Sequence, residues 1–182
     1  MAICRSTTLA QPTRRTHLSS SSPWKFSDCT NTSRTSRLGH LGAFAVASDF
    51  YFRKGVDLTK ITEISNLLPI VNSKPDAELL SDLDATAAWA KSQGGDTNRL
   101  GIMGFCRGGR TVWQYVAQSG DVKAGVAFYG SLVDPPAQAA IWPKSPTQRA
   151  GEMKAPVLGL YGEADQGIPV AQVEAMKAAL AH

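Results

Sequence analysis

From Leu38 onward the chain falls into apolar blocks whose lengths and periods each predict an element. An unbroken apolar run, Ala43 to Ala47, ends at Ser48-Asp49 and predicts a buried strand leaving into a loop. In PDAELLSDLDATAAWAKSQGGD, Leu79, Leu80, Leu83, Ala87 and Trp89-Ala90 recur near helical spacing. Pro75 suits a first turn there, and Gly94-Gly95 a stop. RLGIMGF predicts a short strand. RGGRTVWQYVAQSG predicts a helix with Val112, Tyr115 and Val116 on one side. Buried strands follow in KAGVAFYGSL and APVLGLYGEAD. PVAQVEAMKAAL closes as a helix with Val173, Met176 and Leu180 inward. Strands alternating with helices predict an α/β fold, a mostly parallel sheet with helices on both faces.

Residues 1–37 have a different texture. Fifteen of them are Ser or Thr, and neither period is visible. The chain therefore divides into an irregular segment, 1–37, and a domain, 38–182. The division also explains the charge. The net charge of +4 is the sum of +5 in residues 1–37 and −1 in the remainder, so the basic balance belongs to the first segment. The domain has no basic stripe that would suggest nucleic acid. No run of eighteen apolar residues predicts a membrane span. Three cysteines, Cys4, Cys29 and Cys106, make a poor disulfide framework and suit a reducing compartment. The first segment reads as a disordered tail or, being Arg- and Ser-rich and acid-poor, as a transit peptide.

Candidate chemistry gathers where strands end and helices begin. Gly104-Phe105-Cys106-Arg107-Gly108-Gly109 stands at such a junction and matches a nucleophile elbow with cysteine in the serine position. A nucleophile on a strained turn needs small neighbours, and glycines at 104 and 108 remove bulk. The following helix start favours thiolate, which otherwise forms only near about pH 8.5. The backbone N–H of Arg107 can donate to a developing oxyanion, a contact worth about 100- to 1,000-fold in rate. A lone cysteine beside a strand is more often a small core residue; the flanking glycines and the placement favour the nucleophile. A phosphate-cradling loop, which wants glycine where Cys106 stands, is the weaker alternative.

Asp165, in LGLYGEADQGIP, lies in the loop after a buried strand and later in the chain than Cys106. A carboxylate there could orient a histidine. Glu163 competes for the role, and a turn-capping aspartate is the structural alternative.

Together, DTNRLGIMGFCRGGRTVWQY, KAGVAFYG, APVLGLYGEADQGIPV and SDFYFRKG resemble the dienelactone hydrolase family, the carboxymethylenebutenolidases, from about Leu38 to the end. The resemblance implies an α/β-hydrolase fold, here incomplete, with a Cys-His-Asp triad. Cys106 would be its nucleophile and Asp165 its acid. It assigns Arg53 to the substrate carboxylate, a task that suits a guanidinium's bidentate grip, and places Tyr129 on the pocket wall. The implied reaction opens an enol-lactone or carboxylic ester, of the dienelactone to maleylacetate type, through an acyl-enzyme. No cofactor or metal is expected. The intact protein is expected to be cytoplasmic and, if complete, monomeric, with a small-molecule substrate and neither nucleic-acid nor membrane partners. A flavodoxin-like nucleotide or flavin module and a non-catalytic interaction protein are the other classes left open.

Two departures stand out. The family histidine lies beyond a further strand after the helix that ends AMKAALAH. His182, at a helix terminus, and His17 and His40, ahead of the nucleophile, fit that place poorly. Little turnover is therefore expected from these 182 residues. The family's E-I-F-G motif is also missing near the start. Reading the third base of each codon with the next two shows that WKFSDCTNTS can encode EIFGLHEHI. LSSSS likewise becomes four residues drawn from Val, Ile, Leu and Phe. Residues 2 to about 36 thus read as a shifted-frame translation, restored to frame near Arg37.

Overall fold

The computed structural model describes residues 2–5, 36–38 and 43–181. Six strands, β1 (Ala2–Arg5), β2 (Ser36–Leu38), β3 (Ala43–Val46), β4 (Asp96–Phe105), β5 (Val122–Phe128) and β6 (Val157–Leu160), form one sheet in the order β2-β3-β1-β4-β5-β6. Four helices accompany them, α1 (Ile64–Asn72), α2 (Asp76–Ser92), α3 (Arg107–Gln118) and α4 (Val170–Leu180). Each predicted helix and strand of the domain is present.

The parallel part of the sheet is β4-β5-β6, with Phe105, Phe128 and Leu160 in register across it. The remaining pairings are antiparallel. Strand β1 runs against both β3 and β4, so it lies between two strands that point the same way. Strands β1 and β2 also show that part of residues 1–37 pairs with the sheet, where the sequence pattern predicted no element.

Alternation along β4-β5-β6 separates two faces. Ile102, Gly104, Gly125, Ala127, Val157 and Gly159 point to one of them. Helix α3 lies directly on that face. Trp113 approaches Gly159, and a Cβ on Gly125 would stand 2.8 Å from Val112. Leu79, Leu80 and Leu83 of α2, Val112, Trp113 and Val116 of α3, and Met176 of α4 share one buried cluster with Leu100 and Ile102. Most predicted core positions hold, but Trp89 and Leu180 are exposed, and the strand predicted as buried in APVLGLYGEAD has Leu158 and Leu160 exposed and no fully buried residue.

The opposite face presents Met103, Phe105, Val126, Phe128, Leu158 and Leu160. Phe105, Leu158 and Leu160 are exposed, and none of the six belongs to the buried cluster. The fold class is the one expected, but the described residues supply its helical layer on one face.

Helix α1 has no counterpart in the sequence reading. Pro69 sits inside it, Ile64 and Leu68 are exposed, and none of its residues is buried. An internal proline removes a helical hydrogen bond and argues against a helix, although Ile64, Leu67, Leu68 and Val71 do recur at helical spacing.

Candidate active site

Strand β4 ends at Phe105 and α3 begins at Arg107, so a single residue, Cys106, makes the whole turn. Its backbone adopts φ 53° and ψ −119°, a region that non-glycine residues enter at a cost. Its side chain is exposed. Two hydrogen bonds hold the turn. The Cys106 N–H donates to the Phe128 carbonyl at 3.0 Å, and the Cys106 carbonyl accepts from the Arg110 N–H at 3.1 Å. Packing does the rest. A Cβ on Gly104 would fall on the Gly108 carbonyl, so strand and helix approach as closely as they do because position 104 has no side chain. Gly108 itself faces open space. The bulk-removal argument therefore holds at Gly104 and not at Gly108, whose backbone, not its missing side chain, makes the contact.

Arg107 is the first residue of α3, and a first-turn N–H has no acceptor within its own helix. Its guanidinium turns inward. It lies 4.2 Å from the Trp142 ring centroid, and Nη2 donates to Asp76 Oδ1 at 3.2 Å. Nε and Nη1 are buried without a hydrogen-bond partner. Burial, with the Arg110 guanidinium alongside, pulls Arg107 below the usual arginine value.

Tyr129 follows β5 immediately and also has positive φ, 38°. Its N–H donates to the Leu160 carbonyl at 2.8 Å, and its ring lies 6.3 Å from that of Phe105. Because Phe105, Phe128 and Leu160 are in register, Cys106 and Tyr129 leave adjacent strands at the same edge. Asp165 lies five positions beyond the end of β6, in the loop at that edge. Its Oδ1 accepts the N–H groups of Gly167 at 2.8 Å and Ile168 at 3.2 Å, which anchor the carboxylate to its own loop. Asp165 is half-buried, whereas Glu163 is exposed.

Arg53 lies elsewhere. It belongs to a single helical turn, Phe52–Lys54, and its Nη1 donates to Asp82 Oδ1 of α2 at 2.9 Å. It lines an open groove of about 380 Å³ with Ser48, Asp82, Thr86 and Trp89, and Cys106 is not among the walls. Burial raises the Asp82 carboxyl, but hydrogen bonds and charge from Lys74 and Arg53 outweigh it and hold Asp82 below the ordinary carboxylate value. His17, His40 and His182 lie outside the described residues, as do the positions of the shifted-frame motif. Among the described residues no three His, Cys, Asp or Glu side chains gather as a metal site would require, and no helix is long and apolar enough to cross a membrane.

The sequence reading missed the polar cluster behind the turn. Arg110 is wholly buried and grips two carboxylates. Nη1 and Nη2 donate to Asp76 at 2.7 and 2.9 Å, Nε donates to Asp134 Oδ1 at 2.6 Å, and Nη2 also donates to Asp134 Oδ2. Burial would pull Arg110 down, but the bonds to Asp134 and Asp76 hold it above its usual value. A signal was present in RGGR. Two arginines in the first turn of a helix oppose its dipole and call for buried acids nearby.

A strained, exposed cysteine making the turn from parallel strand to helix, at the edge where the strands end, defines the α/β-hydrolase class, here as a partial fold. The chain belongs to the dienelactone hydrolase family, whose sequence model matches residues 27–182. It is 54% identical over 145 residues to a protein provisionally named carboxymethylenebutenolidase from Methylorubrum extorquens, covering 79% of this chain and 49% of that one. A Yersinia pestis protein of the same provisional name is 46% identical over 146 residues, covering 79% and 53%. A crystal structure of a Klebsiella pneumoniae protein provisionally named dienelactone hydrolase superposes with a TM-score of 0.70 at 45% identity. It covers 76% of this chain and 57% of that one. The chain thus spans about half the length of these relatives.

Proposed function

We propose that this chain carries the acylating machinery of an ester hydrolase acting on enol-lactones or related carboxylic esters, with Cys106 as nucleophile. The observation that carries this reading is the exposed cysteine on a strained φ 53° turn at the head of α3. Strain of this kind persists only where surrounding structure enforces it, and it gathers at functional sites. In the proposed step the Cys106 sulfur attacks the ester carbonyl. The acyl–oxygen bond breaks, the alcohol oxygen leaves, and the acyl group stays on sulfur as a thioester. The Arg107 N–H faces the oxyanion. Tyr129 stands on the wall, and Asp165 is poised to orient a histidine. Arg53 would have to release Asp82 to meet a substrate carboxylate, so its role is conditional on that exchange.

A small-molecule ester is the expected partner, and a cytoplasmic monomer the expected state, without cofactor. Deacylation of such a thioester requires a general base beside Cys106 and Asp165. The test is incubation of the purified chain with p-nitrophenyl acetate. A burst of p-nitrophenolate with acyl label at Cys106 by peptide mass spectrometry is expected, and Cys106→Ala should abolish both. Equal release from the Cys106→Ala chain would sink the reading.

A further inference from the structure

Cys106 is bonded through its carbonyl to the N–H of Arg110, and the same residue's side chain is locked into the rest of the fold. Both edges of the Arg110 guanidinium are occupied, one by Asp76 at the start of α2 and the other by Asp134 in the segment after β5. Planar, two-edged gripping fixes orientation as well as distance. The braces are themselves braced. The Asp76 N–H donates to the Ile141 carbonyl at 3.0 Å, Trp142 Nε1 donates to the Lys74 carbonyl at 3.1 Å, and the Trp142 ring lies 4.6 Å from the Arg110 guanidinium. Backbone packing completes the lock. A Cβ on Gly130 would fall on the Arg110 nitrogen, so the segment after β5 rests against the first turn of α3.

Stability alone explains this cluster poorly. A buried ion pair is about as stable as, or less stable than, an apolar replacement of equal volume, and two cations in a helix's first turn work against the dipole. What the cluster does supply is a fixed placement of the first turn of α3, the turn that carries both the Cys106 sulfur and the proposed oxyanion donor.

We propose that Arg110, clamped between Asp76 and Asp134, is a positioning residue that aligns Cys106 and the Arg107 N–H for attack on an acyl group. This rests on the nucleophile reading above. It predicts that loosening the clamp damages acyl transfer while leaving the thiol accessible.

Two reactions of the 182-residue chain separate these properties, each quantified at Cys106 by peptide mass spectrometry. Iodoacetamide needs an accessible thiolate; a sulfur–carbon bond forms and iodide leaves. Acylation by p-nitrophenyl acetate also needs an aligned oxyanion donor; a thioester forms and p-nitrophenolate leaves. The variants are Arg110→Lys, which keeps charge but loses the two-edged grip, and Asp134→Asn, which keeps shape but loses the second carboxylate. For both, the ratio of acylation to alkylation rate is expected to fall at least about tenfold, with the alkylation rate within about twofold of the parent's. Asp134→Glu, which restores a carboxylate, should recover part of the ratio. An unchanged ratio in folded variants overturns the proposal. Loss of the cooperative thermal transition in both variants also overturns it, since the cluster would then be purely structural. Failure of the nucleophile reading looks different. The parent's Cys106 would then acylate no faster folded than in urea.

Discussion

Cys106 occupies a backbone region that suits glycine far better than cysteine, and that mismatch has a measurable consequence. Residues held at unfavourable φ and ψ cost about 1–3 kcal/mol, of which glycine's extra chain entropy cancels about 0.5–1 kcal/mol. Cys106→Gly is therefore expected to be about 0.5–2 kcal/mol more stable than Cys106→Ala by urea unfolding, although neither can form a thioester. Equal stability would mean the turn is relaxed. Gly104 should show the reverse. Its missing Cβ is what lets the Gly108 carbonyl approach, so Gly104→Ala is expected to cost about 1–3 kcal/mol in the same measurement. At this scale the sequence revealed the cysteine and Gly104, because turn chemistry is local. It misread Gly108, whose Cβ position is open, and it missed Arg110, whose partners are 24 and 34 residues away.

At the scale of elements, helix α2 holds an ion-pair set that ties it to the loop after β3. Asp82 receives Lys74, itself buried, at 2.8 Å and Arg53 at 2.9 Å. Because its folded-state value lies below the ordinary 3.8, folding favours the ionised carboxylate. This contribution is complete above the ordinary value and is lost as pH falls below it toward the folded value. The parent chain is thus expected to melt higher than Asp82→Asn at pH 7, and the gap should close as the solution is acidified past 3.8. A gap that does not change with pH would show that the carboxylate's charge is not what matters. Helix α3 was legible because its apolar side is buried, with Val112, Tyr115 and Val116 all inside. Helix α1 has its apolar residues at helical spacing, but Pro69 stands inside it and no residue of it is fully buried, so a proline that ordinarily ends a helix masked the pattern.

At the scale of the whole molecule, the main consequence is that the described residues cover one face of the sheet with helices. Parallel sheets are ordinarily covered on both faces, yet Phe105, Leu158 and Leu160 stand exposed opposite α3. Among the described residues strand β6 is also the last in the order. The chain is expected to bind anilinonaphthalene sulfonate while folded. Replacing Leu158 and Leu160 together by Glu should cut that fluorescence by about half or more and change stability by no more than about 0.5 kcal/mol per site. A large loss of stability would show that the face is packed. The shifted-frame reading of residues 2 to about 36 also belongs to this scale. Codons that forbid Glu-Ile-Phe-Gly-Leu in the alternate frame would end it.

The sequence by itself determined the α/β class, the strand–turn–helix around Cys106 and the family, because periodicity, turn residues and motifs are written in neighbouring positions. Only the tertiary structure decided which face the helices cover, that Arg53 pairs with Asp82, and that Arg110 joins α2 to the segment after β5. Those outcomes depend on which distant segments meet, and burial and charge pairing are settled between such segments.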